Sequence, residues 1–491
     1  MSVKLPKKPI ACFNFINNEQ SSGSGASYKV VSPYNNTVIG EYKDSTPLEV
    51  DIAVKGAHNA QKEWGLTPIK ERTKVMFNLK NILTREMDII SNIIAIESGK
   101  TLAEAKAGLL KGLEVLEYAI SIQNLDLGGK VEVSRGVFCE YRREALGVVA
   151  NITPFNFPAM VPMWTIPICL VLGNAYIWKP SDKTPLTSNL LANALKEAGL
   201  PSGLFQVIQG KTETVNAIID HPLVSAIGFV GSTKVAKIIY DRASLKGKRV
   251  LALGGAKNHI VLLPDANLEL SGIGISDSFT GCAGQRCMAA SVLLAVGDVD
   301  RHIEKIIERA KSLTLGDDMG AVITSTQKEF LMKAIDQAVK EGATILLDGR
   351  SKKIPEEYID GNWLGPTILD NVKPNTMAAC DELFGPVISI IRCKTIQEAM
   401  EIENANPYGN ACSVFTSSGA LAERVIQSAK SGMVGVNVGV PVPREPFSFG
   451  GINASKFGHG DITGVHSLDF WTNIKKITTK WEKQNDQTWM S

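Results

Sequence analysis

Residues 147–182 read GVVANITPFNFPAMVPMWTIPICLVLGNAYIWKPSD, and this stretch decides the fold. Gly147–Ile152 is a short apolar run that predicts a buried strand. A turn stiffened by two prolines follows, Thr153-Pro154-Phe155-Asn156-Phe157-Pro158. Phe157 to Leu172 is apolar except for Thr165, and Ala175–Trp178 predicts a second strand. The apolar run is short of the ~18–20 residues that a membrane span needs, and Pro158, Pro162 and Pro167 interrupt it. A buried helix packed against a sheet is the reading it fits.

The alternation continues downstream. Pro185–Ala198 predicts a helix opened by Thr184 as N-cap with proline at the first helical position. Leu204–Ile208, Ala226–Val230 and Arg249–Leu253 predict strands, with helices at Thr212–Asp220 and Thr233–Arg242 between them. Strands alternating with helices at this spacing imply right-handed βαβ units and a parallel sheet. Such sheets bind ligands beyond the carboxyl ends of their strands. A second α/β region spans residues 256 to 455, with strands at Val292–Val296 and Thr344–Leu346 and helices at Arg301–Ser312, Gln327–Glu341 and Ile396–Asn404.

Upstream, residues 1–45 read as irregular or β-rich. Pro47 to Tyr118 reads as helical, with apolar spacing of three and four at Val75, Met76, Leu79, Ile82 and Leu83. Val131 to Arg143 alternates and predicts a hairpin. The tail from His466 to Trp481 alternates weakly, a pattern that fits an edge strand.

At 491 residues the chain is too long for one core, since single cores stop growing at roughly 250–300 residues. Lys+Arg is 52 against Asp+Glu 50, a formal charge of +2, which offers no field for nucleic acid or an acidic membrane. The eight cysteines form no CxxC pair, and no leader resembling a signal or transit peptide is visible. These features predict a cytoplasmic protein in a reducing compartment. There is no G-x-G-x-x-G and no HExxH. Glu97-Ser98-Gly99-Lys100-Thr101 resembles the end of a phosphate-binding loop, but Ile94 stands where that motif needs glycine. The scattered histidines predict no metal site.

Two segments can carry chemistry. Gly281-Cys282-Ala283-Gly284-Gln285-Arg286-Cys287 places a cysteine beside a fixed cation, which favours the reactive thiolate. Asn156, just past a parallel strand, offers an amide donor of the kind that builds an oxyanion hole. Alone, the first reads equally as an inert loop cysteine and the second as an ordinary turn residue.

Together with Gly173-Asn174, Lys179-Pro180-Ser181-Asp182, Phe229-Val230-Gly231-Ser232-Thr233 and Glu382-Leu383-Phe384-Gly385-Pro386, these segments resemble the aldehyde dehydrogenase superfamily over nearly the whole chain. The resemblance implies an α/β fold with a variant Rossmann cofactor domain that lacks the glycine fingerprint, a second α/β catalytic domain and a small β oligomerisation element. The corresponding segments are 1–127 with 148–254, 255–455, and 128–147 with 456–491. It implies Cys287 as nucleophile and Asn156 as oxyanion donor. It implies NAD held by Thr153, Phe155, Lys179, Asp182, Lys183, Ser232, Gly254 and Glu382, with no metal. A homodimer or homotetramer is expected, with no nucleic-acid or membrane partner.

One position departs from the superfamily. Most members carry a water-activating Glu in an E-L-G-G-K segment, 34 residues before the nucleophile. Leu253 occupies that place here. Leucine takes no proton, whereas a thiol acceptor needs little help because its ordinary pKa is near 8.5. Acyl transfer to coenzyme A is therefore expected. Gly255-Ala256-Lys257-Asn258-His259 and Gly284-Gln285-Arg286-Cys287-Met288-Ala289 resemble the CoA-acylating methylmalonate-semialdehyde branch. That resemblance implies a methylmalonate or malonate semialdehyde substrate, with Arg286 and Lys111 meeting its carboxylate. Lys111 stands where the branch has arginine and lacks the bidentate fork. A hydrolytic semialdehyde dehydrogenase that releases a free acid is the alternative, and a catalytically silent protein on the same fold is the reading from another class.

Overall fold

The computed structural model describes residues 3–125 and 128–481. The last ten residues of the expected bridging element and two at each end of the first segment lie outside the described residues. Two large sheets dominate. The first has eight strands in the spatial order Lys456–Gly458, Arg249–Leu253, Val224–Val230, Val148–Ile152, Ala175–Lys179, Phe205–Val207, Asn14–Ile16 and Glu19–Ser21. Its five inner strands pair in parallel and the outer ones antiparallel. Every residue of Val148–Ile152 and Ala175–Lys179 is buried, as continuous apolar runs in a sheet covered on both faces require.

The second sheet has seven strands, in the order Thr344–Leu347, Thr367–Asp370, Val387–Cys393, Ala290–Val296, Asn258–Leu262, Ala411–Phe415 and Met433–Val436. A three-stranded antiparallel sheet joins Gly128–Ser134, Val137–Ala145 and Thr472–Lys480. The hairpin expected at 131–143 is therefore present. The tail forms the helix Gly464–Trp471 before its edge strand. Pro47 to Ser121 folds as four helices.

Two local expectations need correction. The apolar run after Asn156 is not one helix. It breaks into Met160–Met163 and Ile166–Val171, because a proline in a helix interior removes a hydrogen bond and clashes with the preceding turn. Thr165, at the break, is held by Asn151 Nδ2 at 2.6 Å and Tyr176 Oη at 2.6 Å. Thr184 does not cap the next helix, Leu186–Glu197; its Oγ1 is buried without a partner. The cap comes from Glu97, which accepts from the Leu186 N–H at 2.8 Å and the Thr187 N–H at 3.1 Å. Its two carboxyl oxygens satisfy two of the orphan donors there, although burial raises the carboxyl to about 8.

Candidate active site

The helix Leu268–Thr280 ends in a turn in which Cys282, Ala283 and Gly284 all have positive φ, at 53°, 52° and 68°. Non-glycine residues adopt this conformation only where the surroundings impose it. Here the constraints can be named. Glu104 Oε1 accepts from the Cys282 N–H at 2.5 Å, and Gln285 Oε1 accepts from the Ile323 N–H at 3.0 Å. The Gly385 backbone lies where a side chain at Gly284 would go.

The turn delivers Cys287 between the two sheets. Its carbonyl accepts from Asn258 Nδ2 at 2.9 Å and from Asn410 Nδ2 at 2.7 Å. Asn258 also accepts from the Ala411 N–H at 3.1 Å, so it ties the loop to two adjacent strands. Neither asparagine was singled out in the sequence. Asn258 lay within the quoted 255–259 segment, whereas nothing local distinguishes Asn410. Asn156 reaches the same loop, with Nδ2 donating to the Gln285 carbonyl at 3.0 Å and Oδ1 buried without a partner.

Arg286 favours the Cys287 thiolate as expected, but its effect is outweighed. Burial pushes the Cys287 thiol up to about 12, and the Glu382 carboxylate adds to the rise. Arg286 and Lys100 pull the other way by less. The left-handed turn also carries Arg286 back toward Cys282, and its Nε donates to Cys282 Sγ at 3.3 Å. Its guanidinium lies against Gly281.

Cys287 opens into a cavity of about 800 Å³ walled by Phe157, Met160, Trp164, Met288, Val440 and Phe449. Cys282, Arg286 and Lys111 line it as well. Lys111 is no solvated helix residue, since its side chain is 18% exposed. It is bound to Glu114 at 3.0 Å and Glu445 at 3.1 Å.

The residues expected to meet a cofactor lie where the parallel strands of the first sheet end. Lys179 closes its strand, and burial lowers its ammonium to about 8 although Asp182 and Asp44 support the charge. Asp44 Oδ1 and Thr184 Oγ1 are buried without partners. Beside them lies a cavity of about 360 Å³ lined by Tyr42, Asp182, Lys183, Lys211 and Thr324. Amine donors at Lys183 and Lys211 and an acceptor at Asp182 around one open space fit a sugar diol. Thr153 accepts from Trp178 Nε1 at 2.9 Å, Phe155 meets Phe384 edge-on, and Lys183 Nζ lies 4.8 Å from the Phe155 ring. Ser232 precedes the helix Thr233–Leu245 without capping it by its side chain, so its first N–H groups remain suited to an anion.

Leu253 ends its strand, buried in the core of the first sheet. Gly254 follows, its N–H donating to the Ser455 carbonyl at 2.9 Å. Glu382 Oε1 accepts from the Ala256 N–H at 3.0 Å and leaves no room for a side chain at Gly255. Burial raises the Glu382 carboxyl to about 7. Arg286 and Lys111 thus share the cavity wall with Cys287, the Glu382 charge acts on its thiol, Asn156 is bonded to the neighbouring Gln285, and Asp182 and Lys183 line a separate cavity.

Comparison with known proteins agrees with this arrangement. The profile of the Aldehyde dehydrogenase family matches residues 20–477. The methylmalonate-semialdehyde/malonate-semialdehyde dehydrogenase [acylating] of Bos taurus is 41% identical over 461 residues, covering 92% of this chain and 86% of the relative. The crystal structure of a methylmalonate-semialdehyde dehydrogenase from Oceanimonas doudoroffii superposes with a TM-score of 0.95 at 36% identity, covering 97% of this chain and 99% of that one. A Sinorhizobium meliloti 1021 protein crystallised with NAD superposes equally well, with a TM-score of 0.95 at 35% identity and coverage of 98% and 99%. With both sheets, the cysteine loop and the matched span in accord, the chain belongs to the aldehyde dehydrogenase family.

Proposed function

We propose that the chain is an NAD-dependent, CoA-acylating dehydrogenase of methylmalonate or malonate semialdehyde. Leu253 is the observation that carries this reading. It is buried at the end of Arg249–Leu253, with no proton-accepting group at the place of the expected base. The acylating activity named for the Bos taurus relative supports it.

Cys287 is the nucleophile. Its thiol gives up its proton to water as the sulfur adds to the aldehyde carbon, and the oxygen takes up negative charge that Asn156 Nδ2 would stabilise. Lys179, Asp182, Lys183, Thr153, Phe155, Ser232, Gly254 and Glu382 would hold NAD, which when bound supplies the hydride acceptor. Loss of hydride from the adduct leaves a thioester on Cys287. The thioester carbonyl accepts the electron pair as the β-carboxylate departs as carbon dioxide, and the resulting carbanion is protonated. Attack by the thiol of coenzyme A then frees Cys287 and yields propionyl-CoA or acetyl-CoA. Arg286, on the cavity wall, is the cation nearest in sequence for the substrate carboxylate.

In this reading 1–127 and 148–254 bind the cofactor, 255–455 carry the cysteine, and 128–147 with 456–491 bridge subunits of a homodimer or homotetramer. The three-stranded sheet supports the last point, because Gly128–Ser134 is an open edge with Val131 and Val133 exposed. The cysteines are all free, in keeping with a cytoplasmic site of action, and among the described residues no helix is long and apolar enough to cross a membrane.

Product analysis with malonate semialdehyde and NAD, with and without coenzyme A, tests the proposal. Acetyl-CoA formed with NADH is the expected result. Undiminished turnover to free acid without coenzyme A favours the hydrolytic alternative.

A further inference from the structure

The cavity above Cys287 carries three cations, Lys111, Arg286 and Arg444, and three carboxylates, Glu104, Glu114 and Glu445. Most are committed to partners inside the chain. Glu104 accepts from the N–H groups of Cys282 and Thr101. Arg286 Nε is turned to Cys282. Lys111 is held by both Glu114 and Glu445, but the two differ. The Glu114 side chain is 41% exposed, whereas that of Glu445 is 8% exposed. Glu445 is therefore the partner on the enclosed side, and its charge is felt by Tyr118, whose hydroxyl is buried without a hydrogen bond.

A substrate carboxylate can use Lys111 only by displacing Glu445. That would leave a nearly buried carboxylate without its cation, an unfavourable exchange. Left in place, Glu445 repels an incoming anion. Apart from Arg286 and the exposed Arg444, the walls at Phe157, Met160, Trp164 and Phe449 accept uncharged groups.

We propose that Glu445 is a specificity-determining residue: the chain's own carboxylate fills the anion site at Lys111, so small uncharged aldehydes compete with carboxylated ones at Cys287. This rests on the semialdehyde reading above. It deepens that reading by naming a second substrate class and the residue that admits it.

The test is Glu445→Gln, which keeps the shape and removes the charge. The quantity read is the ratio of kcat/KM for malonate semialdehyde to that for propanal. A charge removed a few ångströms from the site should raise the ratio about tenfold or more. With Lys111→Met in place, the same substitution should raise the ratio less, because repulsion is relieved but no cation is freed. A merely structural disturbance moves both aldehydes together, so an unchanged ratio in Glu445→Gln overturns the proposal. A second measurement needs no turnover: the rates of Cys287 alkylation by iodoacetate and by iodoacetamide, followed by peptide mass spectrometry. The iodoacetate-to-iodoacetamide ratio should rise about tenfold in Glu445→Gln, and equal ratios in the two proteins would sink the idea. If the wild type forms no acyl-CoA, the semialdehyde reading fails, while the alkylation ratio still decides the role of Glu445.

Discussion

Asn258 donates from Nδ2 to the main-chain carbonyl of Cys287 at 2.9 Å, from the first residue of a strand in the second sheet. The same amide group reaches the Ala289 carbonyl at 2.9 Å, and its oxygen accepts from Ala411. One side chain thus fixes the nucleophile's backbone against two neighbouring strands. Asn410 adds a second donor to the same carbonyl.

Asn258→Ala removes three hydrogen bonds at a buried position. It should lower stability by roughly 1–3 kcal/mol, the penalty for leaving buried polar groups unpaired. Because Asn258 holds the cysteine and faces no substrate, kcat should fall more than KM rises. Asn410→Ala, which spares the other clamp, should do less. Steady-state kinetics alongside thermal denaturation would check this, and a change confined to KM would contradict it.

Cys287→Ala should abolish NADH formation, while Cys282→Ala retains most of it. The ligand-free thiol is pushed up to about 12. Only the thiolate reacts with alkylating agents, so reactivity must increase as pH rises. The rate of modification by iodoacetamide should climb about tenfold per pH unit between pH 7 and 9. Glu382→Gln removes a charge that opposes ionisation and should raise the rate above about pH 7, where that carboxyl is ionised. A plateau near neutrality in the wild type would mean that burial does not govern the thiol.

Glu382 itself should make NAD binding pH-dependent. Its carboxyl lies at about 7, raised by burial, so the ionised form grows as pH rises through that value. A carboxylate accepts hydrogen bonds from ribose hydroxyls more strongly than the neutral acid does. The dissociation constant for NAD should therefore fall severalfold from pH 6 to pH 8, and Glu382→Gln should flatten the profile. Calorimetric titration across that range reads both. An affinity independent of pH in the wild type would remove Glu382 from the ribose.

Leu253→Glu installs the missing base. A base in position contributes about 10²–10⁴-fold to the step it assists. The variant should release free acid without coenzyme A, where the wild type shows a burst of NADH and then waits. It should also be less stable, because a carboxyl replaces an apolar side chain packed in the core of the first sheet. Mass spectrometry of acyl products with pre-steady-state NADH traces separates the outcomes. Full-speed turnover of the wild type to free acid would show that Leu253 is not decisive.

Much of the scaffold was legible because parallel strands are continuous apolar runs. Arg249–Leu253 and Thr212–Asp220 fall at the expected residues. Asn258–Leu262 was missed because its first two residues, Asn258 and His259, are polar and leave a short apolar run, although all five residues are buried. The direction of Arg286 was not legible at all. Adjacency to Cys287 suggested support for that thiol, but three consecutive left-handed residues turn the side chain to Cys282. The pairing of Lys111 with Glu445 joins residues far apart in the chain, and no local pattern announces it.

The cap that Glu97 places on Leu186–Glu197 means that the first sheet is not an excisable cassette. A fragment cut to begin at Gly147 keeps all five inner parallel strands and loses the acceptor for two of its helix N–H groups. It also loses Asn14–Ile16, which covers the edge of Phe205–Val207. Such a fragment would present a naked apolar strand and a frayed helix, the ingredients of aggregation. During synthesis the order is favourable: Glu97 leaves the ribosome before the helix that needs it, so the later segment emerges beside a finished docking surface.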